Sequence, residues 1–517
     1  MDCGRIAGLS LLMFGLAGLS VAADNPTLAD AAEQRNRALI RTLLDAGADV
    51  NAAQVDGMTA LHWAVYHDDA DTAGLLVRSG ANVNAANRYG VPPLSLACTN
   101  GNADLVKLLL DAGADANASL QGGETVLMTA ARAGNLEAVK ALLARGANPN
   151  ARERRDQTAL MWAAAEGHAA VVGALIDGGA TIRATLKSGL TPLFFAVREG
   201  HIDVARTLLA AGVNVNETLQ REEDRPAPEV NTVRYSKAAG KGTSPLLMAV
   251  ENGHFELAIA LVEAGADPND QRTGFTPLHT MSWVRKPDAS DSGDPAPIGS
   301  GRLTSLQFVR VLVERGANVN ARLDKGAPRP PNSATRLGSG GATPFLMAAD
   351  RADAPLMRLL LELGADPFLP NADNSTPLMA AAGLGTAAPD EEAGGSEPEA
   401  LEAVQLLLDR GADIDAVDNN GDTAMHGAAY GNLPKIVQLL ADRGAKAEIW
   451  KRPNTQGSTP LFIAEGYRYG RPIVSRPTID AIQRLMLAAG LPTDGTRPPV
   501  RDIYEKLPDP PQKPPKP

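Results

Sequence analysis

The sequence predicts an all-α fold, a solenoid of about twelve stacked helix-turn-helix units with β-hairpin-like fingers. Three observations carry that expectation. A tetrad recurs every 33 residues: Thr59-Ala60-Leu61-His62, Pro92-Pro93-Leu94-Ser95, Thr125-Val126-Leu127-Met128, Thr158-Ala159-Leu160-Met161 and Thr191-Pro192-Leu193-Phe194. It returns at Ser244, Thr276, Thr343, Thr376, Thr423 and Thr459. A second phrase follows each tetrad, as in Gly47-Ala48-Asp49, Gly80-Ala81-Asn82, Gly113-Ala114-Asp115 and Gly146-Ala147-Asn148, and again from Gly265, Gly316, Gly364, Gly411 and Gly444. Between the two phrases lie apolar residues at helical spacing. A fixed period of this length marks a repeat architecture.

Each element of the unit has a physical reason. Thr suits a helix N-cap, because its hydroxyl accepts from an orphan backbone N–H. Pro93, Pro192, Pro245, Pro277, Pro344, Pro377 and Pro460 stand in the first helical turn, which needs no such donor. Small residues follow, as at Ala163-Ala164, and let neighbouring helices approach. Gly, often with His, breaks that helix (Gly167-His168, Gly200-His201, Gly253-His254). A second helix carries a Leu/Val stripe such as Leu105, Val106, Leu108 and Leu109. The Gly of Gly-Ala-Asx ends it in a left-handed cap. The polar residues before the next Thr form the finger.

These motifs resemble the ankyrin-repeat family, whose hallmark is Thr-Pro-Leu-His-x-Ala at this period with Gly-Ala-Asp near the unit's end. The resemblance covers nearly all of residues 26–495 and implies a binding scaffold rather than an enzyme. The first unit begins at Pro26 by register and is polar, as an exposed cap requires. The last runs from Thr459 to about Leu491. The array is assigned to residues 24–495.

Departures from the repeat locate what the scaffold does not require. Insertions at residues 217–243 and 322–342 lengthen fingers, and their later parts are basic. Insertions at residues 285–302 and 385–399 interrupt helix turns. The second is acidic and is expected to be disordered. A further insertion spans residues 466–477. The unit from Thr423 reads as one residue short at Tyr430-Gly431. The Pro-rich residues 496–517 read as a flexible spacer.

The chain begins with Arg5 ahead of an apolar run, Ile6 to Val21, and then Ala22 and Ala23. This pattern predicts a signal peptide at residues 1–23, cleaved after Ala22 or Ala23, and an exported, periplasmic or extracellular protein. An uncleaved anchor is the alternative. Removal leaves Cys98 as the sole cysteine, which excludes an internal disulfide and a cysteine-based zinc site. Cys98 stands at a small-residue position and reads as a buried, inert thiol. A net charge of −11 argues against broad nucleic-acid binding. No later stretch is long and apolar enough to span a bilayer.

No catalytic, cofactor or metal motif stands out. His62, His279 and His426 hold one tetrad position; His168, His201 and His254 hold the Gly-His position; His67 alone falls outside both. An enzyme hidden in the insertions is disfavoured, because they contain neither His nor Cys. Trp63 and Trp162 read as packing residues. The candidate partner-binding residues lie at finger tips, first-helix ends and insertions. They are Tyr66, His67, Arg88, Tyr89, Arg132, Arg154, Arg155, Arg198, Arg234, Lys237, Lys241, Arg272, Phe275, Trp283, Arg329 and Arg336. Arg and aromatic residues are enriched at interface hot spots. Together they are expected to line one continuous concave surface that is locally basic. The expected partner is another protein with acidic patches: an exported protein that the chain scaffolds or protects, or alternatively a host protein bound after release from the cell.

Overall fold

A computed structural model describes residues 26–220, 242–287, 296–324, 337–386, 395–468, 472–495 and 497. The expected signal segment, most of each finger insertion and nearly all of the Pro-rich tail lie outside these residues. Twelve helix pairs are present among them. They fall into two compact units, residues 1–214 with 219–225, and residues 215–218 with 226–517. Each holds six pairs.

Within each unit, first helices pack on first helices and second helices on second helices of adjoining repeats. The all-α expectation holds, and sequence chemistry explains the elements. Thr59, Thr125, Thr158, Thr191, Thr276, Thr343, Thr376, Thr423 and Thr459 cap first helices, each hydroxyl accepting the N–H three residues on. Pro92 cannot do this with a side chain, and its helix begins without one. In the repeat of Thr158, Leu160, Met161, Ala163 and Ala164 are buried against Val171, Val172 and Leu175 of the second helix. Because each repeat buries its apolar face only on its neighbours, stability is roughly a sum of local terms. Close approach is literal at Gly427: a Cβ there would stand 2.9 Å from the carbonyl oxygen of Met379.

The phrase closing each repeat builds a ladder. The Asn four residues after the Gly donates from Nδ2 to the next repeat's Gly carbonyl, and its Oδ1 accepts the N–H two residues beyond that Gly. Asn84 does so at 3.0 Å to Gly113 and 2.8 Å from Asp115. Asn51, Asn117, Asn269 and Asn320 repeat the pattern. Phe368 takes this place in its repeat and cannot join a ladder.

The hairpin-like fingers are tight turns, two of them closed among the described residues by an isolated antiparallel bridge, Ala53 to Thr59 and Ser119 to Thr125. Neighbouring fingers are joined backbone to backbone, as by Arg88 N–H to the Asp56 carbonyl at 2.9 Å. The structure corrects several details. Thr27, not Pro26, caps the first helix, through a reciprocal bond with Asp30. The repeat from Thr423 is not short. Asn432, with φ of 53°, occupies the place that Gly167 and Gly200 hold elsewhere, and Asn tolerates the left-handed region. Arg285 belongs to the helix Pro277–Arg285 rather than to an insertion. Glu397 and Glu399 likewise begin the helix Glu397–Leu408, where Glu399 accepts the N–H of its N-cap Ser396 at 2.8 Å. The helix Arg476–Ala488 begins inside the last insertion.

Candidate functional site

The residues nominated by sequence meet different fates in the two units. In the N-terminal unit finger tips carry the nominated Arg88, Arg154 and Arg155, with Arg152 and Lys187, which were not among the candidates, beside them, all exposed. None of these five is ion-paired among the described residues. The finger backbone fixes their positions: Arg154 N–H bonds the Gly122 carbonyl at 3.0 Å, and Arg155 N–H bonds Glu153 Oε1 at 2.8 Å. Gly57 shows how closely the fingers run. With φ of +84°, its added Cβ would lie 2.8 Å from the Arg88 nitrogen. Tyr89 is 57% exposed, with the Arg88 guanidinium 4.7 Å from its ring centroid.

Behind this rim stand the first helices. The fourth residue after each N-cap gives Trp63, Leu96, Thr129, Trp162 and Phe195. Trp63, Leu96 and Trp162 are half-buried, while Thr129 and Phe195 are buried. The seventh position adds Tyr66, Arg132 and Arg198. Tyr66 is 55% exposed and meets Trp63 edge-on at 5.6 Å. The Arg132 guanidinium lies 4.8 Å from the Trp162 centroid and 3.4 Å from Glu124. That of Arg198 lies 5.2 Å from Phe195 and pairs with Glu199 at 2.8 Å. His67 is explained by the scaffold after all. Its Nε2 donates to the Glu33 carbonyl at 2.9 Å, so its Nδ1 accepts from Arg35 at 3.0 Å.

In the C-terminal unit matching residues are committed to structure. Arg272 holds Asp270 with two bonds, 2.7 and 2.8 Å, and reaches the Asn216 carbonyl at 2.9 Å. Burial opposes ionisation of Asp270, but the Arg272 bonds outweigh it and keep that carboxyl below its usual range. Phe275 is corrected as a contact residue: it is buried, edge-on to half-buried Trp283 at 5.2 Å. Hydrophobic transfer explains the burial, since a Phe at a finger base meets a Trp of its own first helix. Arg234, Lys237, Lys241, Arg329 and Arg336 lie outside the described residues.

The sequence reading passed over two features. Arg285 clasps buried Asp353 at 2.6 and 3.0 Å, which ties one repeat to the next. Trp162, a packing residue by its sequence position, forms part of the inner face. Counting four residues from each Thr would have placed it beside Arg132.

The histidines and the cysteine serve the fold. His62 and His279 accept the N–H of Thr59 and Thr276 at Nδ1 and donate from Nε2 to the carbonyls of Val91 and Ala342. Burial lowers the pKa of both, that of His279 to about 4. Burial pushes the Cys98 thiol up to about 12, so no reactive thiolate forms there. No group of three or more potential metal ligands occurs among the described residues.

Comparison with known proteins settles the family. A family model for ankyrin repeats in three copies matches residues 28–120, 75–153, 127–218 and 396–474, and the single ankyrin-repeat model matches residues 241–272. Together these cover more than half of the chain. The chain belongs to the ankyrin-repeat family. It is similar to human ankyrin repeat and SOCS box protein 16, with 35% identity over 238 residues, 43% of this chain and 48% of the relative. The mouse protein of that name is 34% identical over 244 residues. The mouse B-cell lymphoma 3 protein homolog is 33% identical over 143 residues, 27% of this chain and 24% of that protein. The chain thus spans about half the length of the SOCS box relatives, or less. The ankyrin repeats suggest a protein-protein interaction module.

Proposed function

We propose that this ankyrin-repeat chain is an exported, non-enzymatic scaffold or protector, which holds an exported protein through the finger and first-helix face of its N-terminal unit. One observation carries the reading. Five exposed cations crowd the finger tips of that unit without a carboxylate partner among the described residues, beside half-buried aromatic rings. Charged groups left unpaired at a preformed surface steer an oppositely charged partner and select against a like-charged one. The partner is therefore a protein with acidic patches. Binding costs little ordering, because the finger backbones are already bonded to one another. Export rests on the segment of residues 1–23. No helix of the described residues is long and apolar enough to cross a membrane.

The test is capture by the full chain from the compartment outside the cytoplasmic membrane, beside the double variant Arg154→Glu/Arg155→Glu. A protein retained by the wild type and lost from the variant supports the reading. Equal retention moves the site elsewhere. A partner found only in host material replaces the exported scaffold by a released effector. Export is checked by N-terminal sequencing of the processed chain, expected to begin at Ala23 or Asp24.

A further inference from the structure

Trp63 and Trp162 occupy the same position, four residues after the N-cap Thr, yet their indoles are treated differently. Trp63 donates from Nε1 to Gln54 Oε1 at 2.7 Å. Gln54 lies five residues before its cap Thr59. The corresponding residue before Thr158 is Glu153, whose Oε1 instead accepts the N–H groups of Arg155 and Gln157 at 2.8 and 3.1 Å. The Trp162 Nε1–H is shut off from solvent and has no acceptor among the described residues. A buried donor left unpaired is costly, and native proteins keep few of them.

Its neighbour is equally unsettled. Arg132 is 43% exposed, and its one ion pair among the described residues, with Glu124, is long at 3.4 Å. A pair of that length, with one partner exposed, holds Arg132 only weakly, and movement of the guanidinium costs little. Such a movement uncovers the Trp162 face over which the guanidinium lies. The indole N–H lies in the ring plane and is buried, so an acceptor reaches it only where the ring edge opens beside Arg132. Arg88, Arg152, Arg154, Arg155 and Lys187 extend the positive rim on the fingers before Pro92, Thr158 and Thr191, while the finger before Thr125 has no cation, and Trp63, Leu96 and Trp162 supply apolar surface behind it.

We propose that this face seats an extended acidic segment of the partner protein, with one carboxylate held jointly by the Arg132 guanidinium and the Trp162 indole N–H. The inference rests on the reading of this face as the binding face. Carboxylates spaced along a peptide fit better than a polyphosphate backbone does. Glu124 and Glu153 stand within the same patch and repel dense negative charge, and the whole chain carries −11.

The test is fluorescence anisotropy on the full chain with three labelled probes: a peptide alternating Glu and Ala, its Gln counterpart, and oligouridine of equal length. The Glu peptide is expected to bind at least about tenfold tighter than the Gln peptide. Arg132→Ala and Trp162→Phe are each expected to weaken it about tenfold, the size of one lost charge-assisted bond. Lys107→Glu, on an outer helix, is expected to leave it within about twofold. Unchanged circular dichroism and thermal midpoint for Trp162→Phe separate lost binding from lost fold. Equal binding of the Glu and Gln peptides, tighter oligouridine, or indifference to both variants overturns the seat. If the Glu peptide fails while a captured protein still depends on Arg154 and Arg155, the seat falls and the binding face stands. If both fail, the reading of the face falls as well.

Discussion

The two units place similar residues at similar repeat positions and use them differently. In the N-terminal unit Arg88, Arg154 and Arg155 project from finger tips without acid partners among the described residues, and Tyr66 and Tyr89 are more than half exposed. In the C-terminal unit Arg272 is locked on Asp270, Phe275 is buried on Trp283, and Arg285 grips a carboxylate that is 1% exposed. Residue type at a variable position therefore does not identify a binding surface; what the side chain already holds does. Substitutions should divide accordingly, costing stability in one unit and binding in the other.

The largest difference is expected between two aromatic residues: Phe275→Ala is expected to cost about 3–5 kcal/mol, against less than about 0.5 kcal/mol for exposed Tyr89→Ala. Next come two matched aspartates. Asp69 and Asp353 each cap a second helix and each take a two-bond grip from an Arg of the preceding repeat. Asp353→Ala leaves Arg285 half-buried with Ser305 but without its carboxylate, which costs about 3 kcal/mol. Arg37, by contrast, is 57% exposed, so Asp69→Ala costs about 1 kcal/mol, mainly the lost cap. Urea unfolding of the variants measures both contrasts, and equal losses within a pair break it.

Acid sharpens the same distinction. His279 has a folded pKa of about 4, depressed by burial from 6.5. The unfolded chain therefore binds more protons between those values. The stability contributed by neutral His279 is full above pH 6.5 and is lost as pH falls through about 4, a loss of roughly 3 kcal/mol. His279→Asn should flatten that part of the stability profile; a profile of unchanged slope contradicts the assignment. The smallest effect on stability belongs to Arg154→Glu/Arg155→Glu, expected within about 0.5 kcal/mol of wild type in the same urea series.

The period, caps and helix pairs were legible because each rests on local chemistry: a hydroxyl at an N-cap, a Pro in the first turn, a Gly at a left-handed close. The turn of the Thr423 repeat was misread because Gly431 drew attention from Asn432, which adopts the left-handed conformation itself. The site was only half legible. Counting from each Thr found Arg132, Arg154 and Arg155 but not their partners, since an ion pair such as Arg285 with Asp353 joins residues far apart in sequence. Phe275 looked like an exposed finger residue because nothing local shows that Trp283 turns towards it. The free indole of Trp162 follows from a single exchange, Gln54 against Glu153, whose meaning appears only once both fingers are seen.

Hydrogen exchange of the full chain, alone and with the captured protein, tests the central claim most directly. Slowed exchange at the finger turns of residues 54–58, 87–91, 120–124 and 153–157 is expected, with the outer helices Ala103–Asp111 and Leu136–Ala144 unchanged. Protection confined to those outer helices, or to the C-terminal unit, would contradict it.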